Sequence, residues 1–379
     1  MQYIYFDNNS TTPLHAKALE AMMPYFAEKY GNAASATHRF GWQAAAAVDI
    51  AKSQVAEILG VEPAEITFTS GATESINMAL RGLFESYKRK GNHIIVCKTE
   101  HKAVLDTCAF LQTCGASISY IDVHRDGIID LAQLESELSD HTIMVVVMLA
   151  NNETGVIQPI EKIAELAHSK GAIMVCDTTQ AIGKMRCSIP DLNVDVAFIS
   201  AHKFYGPKGT GAIYLRRKNP RVTIPPLLYG GGDEKHLRPG TINVPAIVGF
   251  GKACTLAIDN LWEYGSHTSR LRTLFEQIFT EDDVAFINGS TRERLPNTTN
   301  LCFQNVTAQQ IIKHIDNVAV STGSACTSAL AQPSHVLLAM GLSQTQAQNS
   351  IRFSFGIQNT LEEMKETGLK ILELIKSKK

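Results

Sequence analysis

Short β-rich segments alternate with longer helical segments through the first two-thirds of the chain, and this alternation limits the possible folds more than any other feature. Seven segments have the length and composition of strands, and segment 143–149 is a continuous apolar run, as in strands covered on both faces. Strands that alternate with helices of this length form βαβ units around a mostly parallel sheet. The predicted strands are 66–69, 94–97, 117–123, 143–149, 172–176, 196–199 and 212–215, and the predicted helices are 44–59, 74–88, 103–111, 131–138 and 160–169.

The alternation ends at a segment rich in proline and glycine, residues 225–232, which predicts an irregular connection. One long helix, 248–269 or longer, then leads into a part of the chain with fewer strands. We predict an α/β protein: a large domain (14–252) with a mostly parallel seven-stranded sheet covered by helices, and a smaller α+β domain (1–13 and 253–379). The smaller domain is predicted to contain strands 300–303, 318–321 and 350–355 and a last amphipathic helix, 361–375.

Charge and cysteine content exclude several classes of protein. The 379 residues carry 35 Lys and Arg against 37 Asp and Glu, a net charge of −2, which disfavours a nucleic-acid or anionic-membrane partner. No apolar run reaches the roughly 18 residues that a membrane-spanning helix needs, and the N-terminus shows no signal-peptide pattern. The 8 cysteines include no CxxC pair, and the 12 histidines add no metal-ligand spacing. These features predict a cytoplasmic protein with reduced thiols and no bound metal.

Polar side chains follow five of the predicted strands. In open α/β sheets, ligands bind beyond the carboxyl ends of the strands, so these side chains predict one polar pocket. They are Ser70, Gly71, Ala72, Thr73 and Glu74; Glu100 and His101; Asn151, Asn152 and Glu153; Asp177 and Gln180; and Ser200, His202 and Lys203.

This set of groups suits pyridoxal phosphate (PLP). The cofactor needs a lysine for a Schiff base, an acidic partner for its pyridine nitrogen, and a helix N-terminus for its phosphate. Lys203, Asp177 and the turn 70–73 before a predicted helix offer these three features. Each also has an ordinary explanation, since a lysine near glycine and proline is commonly solvated and a strand-end aspartate commonly caps a helix. Lys208 competes with Lys203 as the Schiff-base lysine.

Six motifs, met in the same order along the chain, resemble those of cysteine desulfurases of the NifS/IscS type. These enzymes belong to the class-V aminotransferases, which have PLP fold type I. The similarity extends from FDNNSTTP (6–13) to SIRFS (350–354), nearly the whole chain. The motifs are TSGATES (69–75), TEHK (99–102), DTTQ (177–180), SAHKFYGPKG (200–209), RPGT (238–241) and SACTS (324–328).

The resemblance implies a role for each matching residue around PLP. Lys203 resembles the Schiff-base lysine, and Asp177 resembles the partner of the pyridine nitrogen. Gln180 resembles the donor to the ring hydroxyl, and His101 resembles the imidazole that stacks on the ring and helps to move protons. Thr241 resembles a phosphate ligand that, in this family, comes from the other subunit of a homodimer. The remaining phosphate ligands implied are Ala72, Thr73, Ser200 and His202.

The same resemblance implies the substrate and the reaction. Asn152 and Arg352 match residues that meet the cofactor and the substrate carboxylate, and Cys326 matches the cysteine that accepts sulfur. The implied activity converts L-cysteine to L-alanine and leaves a persulfide on Cys326. That sulfur would pass to an acceptor protein for iron–sulfur cluster assembly or thio-modification. Only a thiolate attacks sulfur well, and the small polar neighbours of Cys326 are typical of a loop.

Three alternatives stay open on the sequence alone. A selenocysteine lyase or an aminotransferase has the same fold, although an aminotransferase has no use for a loop thiol. A non-catalytic sulfur carrier or scaffold has no use for Lys203 together with Cys326. The chain also departs from close relatives at Asp233, where they often have histidine. It ends soon after its last helix, where relatives that serve iron–sulfur scaffolds often continue, which leaves another sulfur acceptor open.

Overall fold

A seven-stranded sheet forms the centre of the protein in the computed structural model, which describes residues 3–231, 237–322 and 333–378. The strand order is β2-β8-β7-β6-β5-β3-β4, and β8 runs antiparallel to both neighbours while the other pairings are parallel. The predicted fold class is therefore confirmed. The strands of the described residues are β1 (Ile4–Tyr5), β2 (Ile66–Thr69), β3 (His93–Cys97), β4 (Ser117–Ile121), β5 (Thr142–Val146), β6 (Ile173–Asp177), β7 (Val196–Ser200), β8 (Gly211–Leu215), β9 (Ala285–Ile287), β10 (Thr298–Phe303), β11 (Val318–Ala319) and β12 (Ser350–Ser354).

The central strands are apolar on both faces because helices cover both faces. Every residue of β5, β6, β7 and β8 is buried. Alternate residues join different apolar clusters: Val145 and Met174 pack on one side of the sheet, whereas Met144 and Val175 pack on the other. Burial on both faces is what makes these strands continuous apolar runs in the sequence.

The predicted helices are present with one clear exception, and five short helices of the described residues were not predicted. They are α1 (Ala16–Met22), α2 (Pro24–Ala27), α3 (Arg39–Leu59), α4 (Ala72–Tyr87), α5 (Lys102–Thr113), α6 (Leu131–Glu137), α7 (Ile160–Ser169), α8 (Val244–Asp259), α9 (Leu261–Thr280), α10 (Ala308–His314), α11 (His335–Ala339), α12 (Gln344–Gln348) and α13 (Leu361–Lys376). The single helix predicted over 248–269 is wrong: α8 and α9 meet at Asn260 with a bend of 73°. Within the described ranges no single helix is long and apolar enough to cross a membrane.

A second apolar cluster forms beside the large sheet. β10 pairs antiparallel with β9 and β12, and β1 pairs parallel with β11. Aromatic rings fill the cluster: Phe275 lies with its ring centroid 4.7 Å from that of Phe353, and Phe6 lies 4.9 Å from Phe355. This clustering supports the predicted division into two domains, which stays a prediction. Val336 and Leu337 of α11 instead pack in the large cluster, although the prediction assigns them to the smaller domain.

Candidate active site

A cavity of about 530 Å³ lies at the carboxyl ends of the central strands. Fourteen residues that the sequence nominates line this cavity, together with residues that the sequence analysis did not assign. The nominated fourteen are Ser70, Gly71, Ala72, Thr73, Glu74, His101, Asn152, Asp177, Gln180, Ser200, His202, Lys203, Lys208 and Arg352. The fold therefore brings together residues that lie up to 282 positions apart in the chain, from Ser70 to Arg352.

Lys203 lies in a 3₁₀ turn, Ala201–Lys203, directly after β7. Its Nζ donates hydrogen bonds to the carbonyl oxygens of Asn9 at 2.9 Å and Ser10 at 2.7 Å. Burial and the nearby Arg352 guanidinium lower the pKa of Lys203 to about 8, against the opposing pull of the Asp177 and Asp7 carboxylates. A lysine with such a pKa supplies free amine near neutral pH, which is what a nucleophile or a proton acceptor requires.

The carboxyl end of β6 carries an acidic and an amide side chain. Asp177 is its last residue, and its Oδ1 accepts a hydrogen bond from the Thr179 N–H at 2.9 Å. Three residues further on, Gln180 donates through Nε2 to the Asn9 carbonyl oxygen at 2.9 Å. Both residues line the cavity, on the strand next to the one that carries Lys203.

The start of α4 forms an anion-binding turn. Gly71 precedes this helix with φ +146°, a conformation that L side chains rarely adopt, and as N-cap it leaves the first N–H groups without a side-chain acceptor. A Cβ at Gly71 would lie 3.4 Å from the Ser200 Oγ, so the hydroxyl stands beside the same turn. Free N–H groups at a helix N-terminus bind phosphate, and Ala72 and Thr73 line the cavity here.

Two further side chains border this turn. The His202 Nδ1 lies 3.0 Å from the Thr11 hydroxyl, and burial together with nearby lysines, Lys203 first, lowers the pKa of His202 to about 4. The imidazole is therefore neutral at neutral pH. Glu74 would oppose an anion, but its Oε1 accepts from Arg238 Nε at 2.9 Å and its Oε2 from the Ser70 N–H at 2.6 Å.

His101 is the N-cap of α5. Its Nδ1 accepts a hydrogen bond from the Ala103 N–H at 3.1 Å. Desolvation by the cavity walls is the largest cause that lowers the pKa of His101, and the Asp177 carboxylate opposes it. In the neutral ring Nδ1 is an acceptor, so Nε2 carries the proton.

Arg352 comes from β12 and is buried. Its Nη1 donates to the Asn152 carbonyl oxygen at 3.0 Å, and its Nη2 donates to Asp7 Oδ1 and to the Ser10 Oγ at 2.9 Å. A guanidinium offers five N–H donors in a fork that matches a carboxylate. Arg352 lines the cavity and so places a guanidinium at its wall.

Four nominated residues that the structure describes are not among those that line the cavity: Glu100, Asn151, Glu153 and Thr241. The first three are buried and hydrogen-bonded to other parts of the chain, whereas Thr241 is exposed. Cys326 and Asp233 lie outside the described residues. The sequence analysis in turn missed Asn9, which lines the cavity, and Lys184, which contacts the cavity residues Asn9 and Gln180. Asn9 belongs to a motif that the resemblance includes, but Lys184 had no signal that separates it from a surface lysine.

A half-buried lysine, a strand-end carboxylate and a helix N-terminus around one cavity define the site of a PLP enzyme of fold type I. The aminotransferase class-V family model matches residues 4–366, and the chain belongs to this family, as predicted. A curated cysteine desulfurase IscS from Anaeromyxobacter sp. (strain Fw109-5) is 46% identical over 377 residues, which is 98% of this chain and 92% of the relative.

Solved structures agree with that assignment. A NifS-like protein superimposes with a TM-score of 0.92 at 38% identity, covering 99% of this chain and all of its own. A protein solved as SspA in complex with cysteine gives a TM-score of 0.81 at 34% identity, covering 94% of this chain and all of its own. The family is PLP-dependent, which confirms the predicted cofactor.

The described residues fit this cofactor. The open N–H groups of α4 and the Ser200 hydroxyl suit its phosphate, the Asp177 carboxylate suits its pyridine nitrogen, and the Lys203 amine suits its aldehyde carbon. Lys208 also lines the cavity, but it is exposed, whereas Lys203 is held by two carbonyl oxygens. The geometry favours Lys203 over Lys208.

We expect attachment of PLP to the cofactor-free protein to accelerate as pH rises through about 8, because only the unprotonated Lys203 amine reacts. Samples mixed with PLP at fixed times and reduced with borohydride are digested, and the pyridoxyl-bearing Lys203 peptide is measured by mass spectrometry. Pyridoxylation of Lys102, an exposed lysine outside the cavity that pairs with Asp106 at 3.1 Å, serves as the control. Identical profiles for the two lysines would contradict the prediction.

Proposed function

We propose that the protein is a cysteine desulfurase, which converts L-cysteine to L-alanine and holds the sulfur as a persulfide on Cys326. The observation that carries this proposal is one cavity that contains the Lys203 amine, the Asp177 carboxylate and the Arg352 guanidinium. Two similar proteins support the proposal: a relative named cysteine desulfurase IscS, which is 46% identical to this chain, and a structural neighbour that was solved with cysteine.

The residues of this chain have separate tasks in that reaction. PLP, when bound, supplies the electron sink that makes the bonds around the substrate α- and β-carbons labile. Arg352 binds the carboxylate of cysteine beside Asn152, and Asp177 holds the proton on the pyridine nitrogen. Lys203, with a pKa of about 8, takes the proton from the substrate α-carbon and returns one to the carbon skeleton.

The sulfur transfer needs no external oxidant or reductant. The Cys326 thiolate attacks the sulfur of cysteine, so an S–S bond forms, the carbon–sulfur bond breaks, and the β-carbon takes a proton as alanine forms. The sulfur is formally oxidised and the carbon reduced. Ser321, which lines the cavity and pairs by backbone hydrogen bonds with Arg352, precedes Cys326 by five residues in the chain, and this supports access of the thiol to the substrate.

The test of this proposal is alanine formation from L-cysteine by the purified PLP-loaded protein without any 2-oxo acid. A mass increase of one sulfur atom on the peptide that contains Cys326 must accompany it. A requirement for a 2-oxo acid would replace the proposal with an aminotransferase. Turnover of L-selenocysteine but not L-cysteine would replace it with a selenocysteine lyase.

We further propose that the protein is a homodimer, in which Thr241 completes the phosphate site of the other subunit. Large apolar side chains on and near α1, α2 and α3 are exposed, which is unusual for a surface that faces only water. They include Met23, Phe26 and Trp42, which are 55%, 58% and 58% exposed. Sedimentation velocity is expected to give about twice the 41.4 kDa chain mass, and a monomer at micromolar concentration would contradict this.

The sulfur acceptor is proposed only by class. A thiol of another protein can accept the outer sulfur of a persulfide. An iron–sulfur scaffold or a sulfur relay protein is an acceptor of this kind. The cytoplasmic location predicted from the sequence stays a prediction.

A further inference from the structure

Lys184 is a lysine buried beside the cavity that the proposed reaction does not use. Its side chain is 2% exposed, and it follows the turn at Gly183, where φ is +76°. A Cβ at Gly183 would lie 2.6 Å from the Cβ of Phe204, the residue after Lys203, so glycine allows this segment to pack against the cofactor turn.

The side-chain amine of Lys184 contacts two amide oxygens. Its Nζ donates to Asn9 Oδ1 at 2.9 Å and to Gln180 Oε1. Burial, followed by the charges of Lys203 and Arg352, lowers the pKa of Lys184 well below its ordinary value. A buried amine is costly unless it is hydrogen-bonded, and the Asn9 and Gln180 side-chain oxygens supply those bonds.

These bonds fix which end of the Gln180 amide faces which neighbour. The Lys184 amine donates to Oε1, and the Asn9 carbonyl oxygen, which only accepts, takes a hydrogen bond from Nε2 at 2.9 Å, so both neighbours favour the same orientation of the amide. The amide has two N–H groups, and Asn9 takes one of them. The other remains for a ligand in the cavity that Gln180 lines.

We propose that Lys184 is a positioning residue of the cofactor site, which holds the Gln180 amide so that its NH₂ group is presented to an anionic ring oxygen of the cofactor. This proposal rests on the proposed role of Gln180 in PLP binding. An amide turned the other way would present a carbonyl oxygen to that anion and repel it.

A double-mutant cycle on PLP binding tests the proposal. The proteins are wild type, Lys184→Met, Gln180→Ala and the double variant, each stripped of cofactor and titrated with PLP by absorbance. Loss of the bond should weaken PLP binding about tenfold for Lys184→Met, since Gln180 Oε1 is left without its donor. In the Gln180→Ala background the same change should alter the dissociation constant less than about twofold. Equal effects in both backgrounds would overturn the proposal and leave Lys184 a purely structural residue.

The bound cofactor's spectrum gives a second readout. Loss of a donor to the ring oxygen raises that oxygen's proton affinity, so the pH at which the cofactor's absorbance changes should be higher in Lys184→Met than in wild type. The double variant should show the same transition pH as Gln180→Ala. If Lys184→Met does not fold, Lys184→Gln replaces it in the same four-protein cycle, and the same two outcomes decide.

A matched control uses another lysine whose ammonium binds backbone oxygens. Lys90 donates to the Thr142, Lys170 and Gly171 carbonyl oxygens, away from the cavity. Lys90→Met should lower thermal stability without changing the PLP dissociation constant. Borohydride mapping of the wild-type protein separates the two hypotheses: pyridoxyl on Lys203 supports the proposed function whatever the result for Lys184.

Discussion

Replacing Lys203 with alanine is expected to abolish covalent attachment of PLP and to reduce alanine formation at least about 1,000-fold. The residue has two tasks, since its amine binds the cofactor and then moves the substrate proton. It is also the cavity lysine with a pKa lowered to about 8 and with two backbone acceptors that orient its Nζ. The measurements are alanine release from L-cysteine and mass spectrometry of the borohydride-reduced protein.

Lys102→Ala is the matched control for this prediction. Lys102 lies exposed on α5, where it pairs with Asp106 at 3.1 Å, so its loss should leave activity and pyridoxyl attachment unchanged. A pyridoxyl group found on Lys208 or Lys102 of the wild-type protein would show that the site has been assigned wrongly. Full activity of Lys203→Ala would exclude a PLP mechanism based on this residue.

The strands of the large sheet could be predicted closely because burial on both faces requires continuous apolar runs, which are visible in the sequence. Helix α7 begins and ends where its periodicity predicts, at Ile160–Ser169. The break at Asn260 left no such record, since no proline or glycine marks it. Its cause is tertiary: Phe250 of α8 packs in the large cluster and Phe275 of α9 packs in the other, so one straight helix cannot serve both.

The site could be predicted where a local rule applies. Asp177 and Ser200 are the last residues of their strands, and Lys203 lies just beyond Ser200. The carboxyl ends of neighbouring parallel strands lie at one edge of a sheet, so such residues come close together. No local sequence pattern predicts that Lys184 belongs to the site, because its hydrogen bond to Asn9 spans 175 positions of the chain. The hydrophobic periodicity of a sequence predicts the type of a secondary-structure element, but it does not predict which distant side chains will contact that element.

Cys326→Ala is expected to retain PLP and to bind L-cysteine, while alanine release falls at least about 1,000-fold and no persulfide forms on the protein. The residues that hold cofactor and substrate, among them Lys203 and Arg352, are intact in this variant. The substrate sulfur, however, has lost the thiolate that must attack it. Cysteine binding is measured as a change in the cofactor's absorbance, and the persulfide as an added sulfur mass on the peptide that contains residue 326.

Cys114→Ala supplies the control, because Cys114 is the exposed cysteine among the seven that the structure describes and lies at the end of α5. Its loss should change neither product. Persulfide formation separates a desulfurase from the other enzymes of this fold, since an aminotransferase moves nitrogen and a lyase releases its chalcogen without an enzyme thiol. Full alanine formation by Cys326→Ala would therefore reject the persulfide mechanism but not the PLP site. A loss of PLP binding in the same variant would show instead that residue 326 is needed to form the site.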